Sequence, residues 1–303
     1  MIVGLDIGGS KIEGVGLVKE GEDYKTVLKH RVPTDKTSYQ AFLQSTLSVI
    51  RELGKVGEIE SIGIGCCGSV GPDGLMQGAN ILVLNGQDFI GDLKQHCSVP
   101  IAIANDADCF ALSEFKDGAA KDAEHSCVAI IIGTGCGSGV IINKGLVTGL
   151  NKLGGEIGHN PLPHFHSESD GPSVQCYCGS NNCNELFVSG SGFERLYAQD
   201  FDQFLSSKDI MALYRSGDAQ AKQHFSRYCD QLARVLASIV NFIDPEVIVL
   251  GGGMSNVDEI YPQVANQMQQ YTFTKSVVTP VVKNVYGDSS GVRGAAFLHL
   301  QHS

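Results

Sequence analysis

This chain is short of positive charge, of long apolar runs and of a leader-like beginning, and each shortage excludes a class of function. Against 33 Asp and Glu stand 22 Lys and Arg, a formal net charge of −11 over 303 residues. A nucleic-acid backbone would be repelled on average, so nucleic acid is not an expected partner; small anions held by local amides and a few cations stay compatible. No stretch approaches the roughly 18 consecutive apolar residues of a spanning helix, so no membrane is expected either. The start, Met1-Ile2-Val3-Gly4-Leu5-Asp6, has no basic region, and an acid interrupts its apolar run, unlike a secretory signal. The expected location is cytoplasmic, where cysteines serve as thiols or metal ligands rather than as disulfides. Of the 10 cysteines, Cys66, Cys67, Cys97, Cys109, Cys127, Cys136 and Cys229 sit among apolar or small residues and are expected as buried thiols. A Walker-type phosphate loop is missing. The stretch GIGCCG (63–68) has dinucleotide-type glycine spacing, but it runs into the turn-rich SVGPDG instead of a helix, which argues against a Rossmann site.

What is present points to an α/β chain. At 303 residues and 43% hydrophobic composition, two lobes are expected. The 37 glycines cluster in short runs, as turns that need positive φ or close ligand approach do. MIVGLD is apolar, IGGSK is a glycine turn, and IEGVGLV resumes the apolar pattern. SYQAFLQSTLSVIREL carries Tyr39, Phe42, Leu43, Thr46, Leu47, Ile50 and Leu53 on one helical face. IESIGIGCCG and VPIAIAND read as strands, ADCFALSEF as a helix. The pattern then repeats: SCVAIII, the turn GTGCGSG and VIIN, followed later by a helix with Phe225, Cys229, Leu232, Leu236, Ile239 and Phe242 at helical spacing. Asp244-Pro245 ends it, and the strand EVIVL runs into GGGMS. Two halves that each open with strand, glycine turn, strand place a boundary near Gly118.

Chemistry collects at the turns. In Gly8-Gly9-Ser10-Lys11 and in Gly133-Thr134-Gly135-Cys136-Gly137-Ser138-Gly139, absent β-carbons let backbone N–H groups converge on an anion. Ser10, Thr134 and Ser138 offer hydroxyls, and Lys11 a cation. Asp6, just before the first turn, suits Mg²⁺, directly or through water. Gly251-Gly252-Gly253 follows a buried strand and suits close approach by a flat group such as adenine. Asn105 and Asp106 end a strand and open a helix, where open α/β sheets place chemistry. Asp106 suits a general base for a substrate hydroxyl, an N-cap, or both. Cys176, Cys178 and Cys183 with one of His159, His164 and His166 make a three-sulfur, one-nitrogen set of the kind that closes a structural zinc site.

Together these segments closely resemble the ROK sugar kinases. The resemblance covers essentially the whole chain. It rests on GLDIGGSK (4–11), ANDADCFALSE (104–114), IIGTGCGSGV (131–140), GGEIGHNPLP (154–163), CYCGSNNCNE (176–185), DPEVIVLGGGMSN (244–256) and GDSSGVRGAA (287–296). It implies a two-lobed actin/hexokinase-like (ribonuclease H-like) α/β fold with a cleft. The lobes would be 1–117 and 118–303, the zinc-binding loop lying in the second. A last helix, about 290–303, is a candidate to pack back on the first lobe.

The implied reaction joins ATP and a hexose to give hexose 6-phosphate and ADP. NILVLNGQDF (80–89) and GHNPLP look most like the bacterial fructokinase branch, so fructose is the expected sugar. N-acetylglucosamine, glucose and mannose are the alternatives, and a non-catalytic sugar sensor or repressor the distant one. A repressor would carry a winged-helix segment before the first glycine turn, which here begins at Gly8. The resemblance makes Asp106 the general base. It sets Gly4, Leu5, Asp6, Ile7, Gly8, Gly9, Ser10 and Lys11, with Gly133 to Gly139, along Mg-ATP, and Gly251 to Gly253 near adenosine. It puts Asn80, Asn105, Glu156, His159 and Glu185 on sugar hydroxyls, which carboxylates and amides read as donor and acceptor at once. It selects His159 as the fourth zinc ligand. The family is often dimeric, so a homodimer is a state to test. Four positions depart from the family pattern: Cys67 stands for a usual Pro, Asn182 for a Gly, Asn184 for an apolar residue, and Ser10 for a Thr. Tyr286 stands where the fructokinase branch often has His.

Overall fold

The opening apolar run becomes an edge-protected central strand because its two faces find different partners. The protein's structure, a computed structural model, describes residues 1–21 and 23–302. Strand β1 (Ile2–Ile7) pairs antiparallel with β2 (Lys11–Glu20), which pairs antiparallel with β3 (Asp23–Pro33). Helix α1 (Tyr39–Leu53) follows, capped by the Ser38 hydroxyl, which accepts the Ala41 N–H at 3.1 Å. Then come β4 (Ser61–Cys66), the small hairpin β5 (Ser69–Val70) and β6 (Met76–Gln77), α2 (Phe89–His96), β7 (Ile101–Ala104) and α3 (Asp106–Lys116). The sheet order is β3-β2-β1-β4-β7, with β4 parallel to both β1 and β7.

Val3, Leu5 and Ile7 point to one face and join Ile62, Ile64 and the α1 residues Phe42, Leu47 and Ile50 in one buried cluster. This is the helical stripe that the sequence predicts. Fully burying each such side chain stabilises by roughly 1.5–3 kcal/mol.

The second half contains β8 (Ser126–Ile132), β9 (Cys136–Ile142), β10 (Gly145–Leu146), α4 (Ser167–Asp170), α5 (Glu185–Val188), α6 (Gly190–Phe201), α7 (Ser207–Ser216), α8 (Ala219–Ile243), β11 (Ile248–Gly251), α9 (Ile260–Met268) and β12 (Val281–Lys283). Its sheet order is β10-β9-β8-β11-β12, with β11 parallel to β8 and β12. On α8, Phe225, Cys229, Leu232, Leu236 and Ile239 are buried, but Phe242 is 91% exposed. A period of 3.6 carries the buried stripe on through Val240 instead. Asp244, at φ 52°, then ends the helix in the left-handed region. Within this half, Arg234 reaches buried Asp170 and donates to the carbonyls of Pro163 and His164, both at 3.0 Å.

Contacts divide the chain into two units, neither continuous in sequence. One takes Met1–Asp122, Gly139–Gly154 and the chain from Val285 on; the other takes Ala123–Ser138 and Gly155–Asn284. In the first unit, α10 (Ser290–Ala296) lies on the β1 face opposite α1, where Val292, Ala296 and Phe297 meet Ile2, Val15 and Leu17. The approach is close enough that a Cβ on Gly4 would strike the Val292 carbonyl, and one on Gly63 the Ala295 carbonyl. Gly4 is therefore a packing glycine. Among the described residues no helix is long and apolar enough to cross a membrane.

Candidate active site

In the first unit, the end of β1 and the start of α3 supply two carboxylates. The Gly8–Lys11 turn is closed by the Gly8 N–H on the Lys11 carbonyl at 2.9 Å. Thr34 braces it from β3's end, its hydroxyl on the Gly8 carbonyl at 2.7 Å and its N–H on the Ser10 carbonyl at 3.1 Å. Ser10 is left exposed. Leu5 and Ile7 are core residues, so of the β1 side chains expected along the nucleotide only Asp6 is free to reach it. Burial raises the Asp6 carboxyl to about 6, with Lys11 opposing and Asp106 adding to the rise. The two carboxylates thus feel each other.

The N-cap of α3 is Asn105, whose side-chain oxygen Oδ1 accepts the Asp108 N–H at 2.6 Å. That separates the two expected roles. Asp106 sits inside the helix, its carboxylate accepts the Ala107 N–H at 2.9 Å, and its side chain is exposed. Asn80 is also exposed and accepts the Cys67 thiol at 2.7 Å. Cys67 and Cys97 are only partly buried, unlike the other five thiols expected inside. The Cys66 thiol draws Cys67 down to about 7, against burial.

The second unit presents a different turn. The Glu185 carboxylate, at the start of α5, accepts the Cys136 N–H at 3.0 Å. Gly135 leaves room for it, since a Cβ there would press on the same carboxylate oxygen. Ser138 is not an available hydroxyl: it is buried and donates to the Gly155 carbonyl at 2.5 Å. Cys136 is buried as well. Gly139 belongs to the first unit, where a Cβ would sit 2.6 Å from the Ala107 carbonyl, so its role is packing against α3. Of the rest of the turn, the Gly133 N–H donates to the Gly135 carbonyl at 3.0 Å and Gly135 faces the Glu185 carboxylate, so Thr134 and Gly137 are the candidates to meet an anion.

Gly252, at φ +80°, brings the Gly251–Gly253 turn against this one, because a Cβ on it would lie 2.8 Å from the Gly133 nitrogen. The space in front of Gly253 is open. Glu156 is exposed just before the tight turn Ile157–His159.

Also in the second unit, one ligand atom each from His159, Cys176, Cys178 and Cys183 lies within 4.8 Å of every other. The Cys178 and Cys183 sulfurs are 3.6 Å apart, and the Cys176 sulfur is 3.7 Å from His159 Nδ1. A tetrahedral zinc with Zn–S of about 2.3 Å has ligand atoms roughly 3.8 Å apart, so the set fits that ion. The other ring nitrogen of His159 meets the Tyr177 hydroxyl at 3.0 Å. Both nitrogens are thereby engaged, which leaves His159 as a ligand candidate and weakens its expected sugar contact. His164, at φ 55°, stacks on Tyr271 instead. Asn182 takes φ 57°, the left-handed conformation that suits the Gly it replaces.

A family model described as the ROK family matches residues 2–302. This chain belongs to the ROK family. Within it the chain is one of the sugar kinases. It is 37% identical over 305 residues to an N-acetyl-D-glucosamine kinase of Yersinia enterocolitica, covering 99% of each chain. It is 38% identical over 306 residues to one of Escherichia coli O139:H28, again over 99% of each. A crystal structure of a ROK hexokinase from Thermus thermophilus superimposes with a TM-score of 0.86 at 26% identity, over 100% of this chain and 99% of that one. These relatives carry no fructokinase name, so the sugar expected from NILVLNGQDF loses ground to N-acetylglucosamine.

Two residues that the sequence reading passed over touch candidate site residues: Tyr177 meets His159 at 3.0 Å, and Glu13 meets Lys11 at 3.4 Å. Tyr177 was hidden between two metal-ligand candidates. Glu13 carries a signal in the sequence, an acid inside an apolar strand.

Proposed function

We propose that this ROK kinase transfers the terminal phosphoryl group of ATP to the 6-hydroxyl of N-acetylglucosamine. The observation that carries the sugar is the identity of 37–38% over 99% of the chain to N-acetylglucosamine kinases. Asp106 supports the chemistry: it is a carboxylate released from capping by Asn105 and exposed at a helix start. In this reading Asp106 accepts the hydroxyl proton as the oxygen attacks phosphorus, and ADP leaves. Lys11 and the amides of Gly9 and Ser10 meet the phosphate chain, along with Thr134 and Gly137. Gly251 to Gly253 meet the adenosine. Asn80, Asn105, Glu156 and Glu185 hold sugar hydroxyls. Phosphoryl transfer asks mainly for alignment and charge neutralisation, which such a set provides.

Mg²⁺ held at Asp6 would neutralise the phosphate oxygens. Zn²⁺ on His159, Cys176, Cys178 and Cys183 would be structural, since four protein ligands leave no open position. It would pin the loop before Glu185, the residue bonded to the second turn.

A panel of N-acetylglucosamine, glucose, mannose and fructose with ATP, read by coupled ADP release, tests this. N-acetylglucosamine should lead in kcat/KM by about ten-fold or more. Fructose in the lead would overturn the sugar, and no turnover with any sugar would overturn the kinase.

A further inference from the structure

The geometry points to Glu13 as a positioning residue for the donor's phosphate chain, acting through Lys11. This deepens the proposed function and rests on its assignment of Lys11 to a phosphate oxygen. Glu13 is an acid in an apolar stretch of β2 and is 2% exposed. Register sets it directly opposite Asp6 on β1 and Arg31 on β3. Opposed residues share a sheet face, as do residues two apart on one strand. Asp6, Lys11, Glu13, Lys29 and Arg31 therefore line one face, at the end of β1 where the glycine turn begins.

Three cations converge on the one buried carboxylate. Lys29 Nζ takes Oε1 at 2.7 Å. Arg31 takes Oε2 through Nε at 2.7 Å and through its terminal nitrogen. Lys11 Nζ reaches the same oxygen at 3.4 Å. Lys29 and Arg31 already more than balance the Glu13 carboxylate, so Lys11 is the most loosely held of the three cations on it, and it faces the Asp6 carboxyl as well. A lysine tethered in this way is oriented before the ligand arrives, which lowers the ordering entropy lost on binding, yet its charge stays available. In a chain of net charge −11, the cluster also draws anions locally.

Two opposite perturbations should therefore do the same harm. Without Glu13, Lys11 has no anchor. Without Lys29 and Arg31, the buried carboxylate has only Lys11 left and captures it.

The test is steady-state kinetics of the full chain with MgATP and the best acceptor of the sugar panel, with thermal melts to verify folding. Glu13→Gln should raise KM for MgATP about five-fold or more while KM for the sugar stays within about two-fold. Lys29→Met with Arg31→Met should raise KM for MgATP by a similar factor, and adding Glu13→Gln to that pair should bring no further rise. A KM for MgATP within two-fold of wild type in Glu13→Gln, or an equal rise in both KM values, overturns the inference. Should Glu13→Gln fail to fold, the exposed pair decides alone on the same criterion. Lys11→Met separates the two layers. If it leaves KM for MgATP unchanged, the Lys11 assignment falls and the inference with it; if it raises KM where the Glu13 and pair variants do not, only the inference falls.

Discussion

The two glycine turns look alike as sequence and are built for different tasks. The first, Gly8 to Lys11, ends in an exposed hydroxyl and a half-free lysine, with a raised carboxyl at Asp6 just before it. The second, Gly133 to Gly139, has spent much of its chemistry on the protein itself. Ser138 is tied to Gly155, the Cys136 N–H to Glu185, and Gly139 to the packing of α3. A glycine run thus marks a place where backbone comes close to something. What it comes close to is decided by residues far along the chain. At the first turn that residue is Asn80, beside Gly9; at the second it is Glu185, beside Gly135.

The comparison breaks most visibly at Asp106. Replacement by Asn should lower kcat by about 10²- to 10⁴-fold. Because Asn105 holds the cap, stability should change by no more than about 0.5 kcal/mol. A kcat near wild type would remove Asp106 from the chemistry.

Next comes Asp6, which in the folded chain titrates at about 6 against an ordinary 3.8. The folded state binds this proton more tightly than the unfolded state does. The stability it contributes is complete below pH about 3.8 and lost as pH rises through about 6. In magnesium-free buffer Asp6→Asn should match wild type near pH 4 and exceed it above pH 6, by up to about 3 kcal/mol. Thermal melts that keep the same pH slope in both proteins would contradict this.

On the second unit, Cys178→Ser should abolish bound zinc, measured by metal analysis, and raise KM for the sugar about ten-fold through the loop before Glu185. Full activity in metal-free wild type would cut the link between cluster and site.

The finest contrast is alanine at each turn. At Gly135 a Cβ presses on the Glu185 carboxylate, so Gly135→Ala should raise KM for the sugar about five-fold. At Gly9 the nearest atom, Asn80 Oδ1, is 3.8 Å away, so Gly9→Ala should stay within about two-fold. Equal effects would erase the distinction between the turns.

Much of the fold was legible because local patterns carry it. The Tyr39–Leu53 stripe and the strand running to Ala104 follow from period alone, and the three sulfurs from their spacing, while His159 was picked from three histidines by the resemblance. Other features depend on partners distant in sequence. Nothing near Ser138 announces that its hydroxyl meets Gly155, and nothing near Gly4 announces a helix beginning at Ser290. Phe242 sits at the right interval for burial yet faces outward, because the stripe drifts round the helix by its last turn. The buried pair of Arg234 and Asp170 was equally silent: each alone reads as a surface charge. The sugar was the least legible part, since acceptor choice rests on side-chain placement that motif spelling does not encode.

The close fit of α10 against Gly4 and Gly63 has a consequence for biosynthesis. Strand β1 leaves the ribosome long before α10, the surface it must bury against. Its α10 side therefore stays wet while the residues between them are made, a period of tens of seconds at about 5–20 residues per second. The first unit cannot finish folding until α10 has emerged, which is where a chaperone would have something to hold.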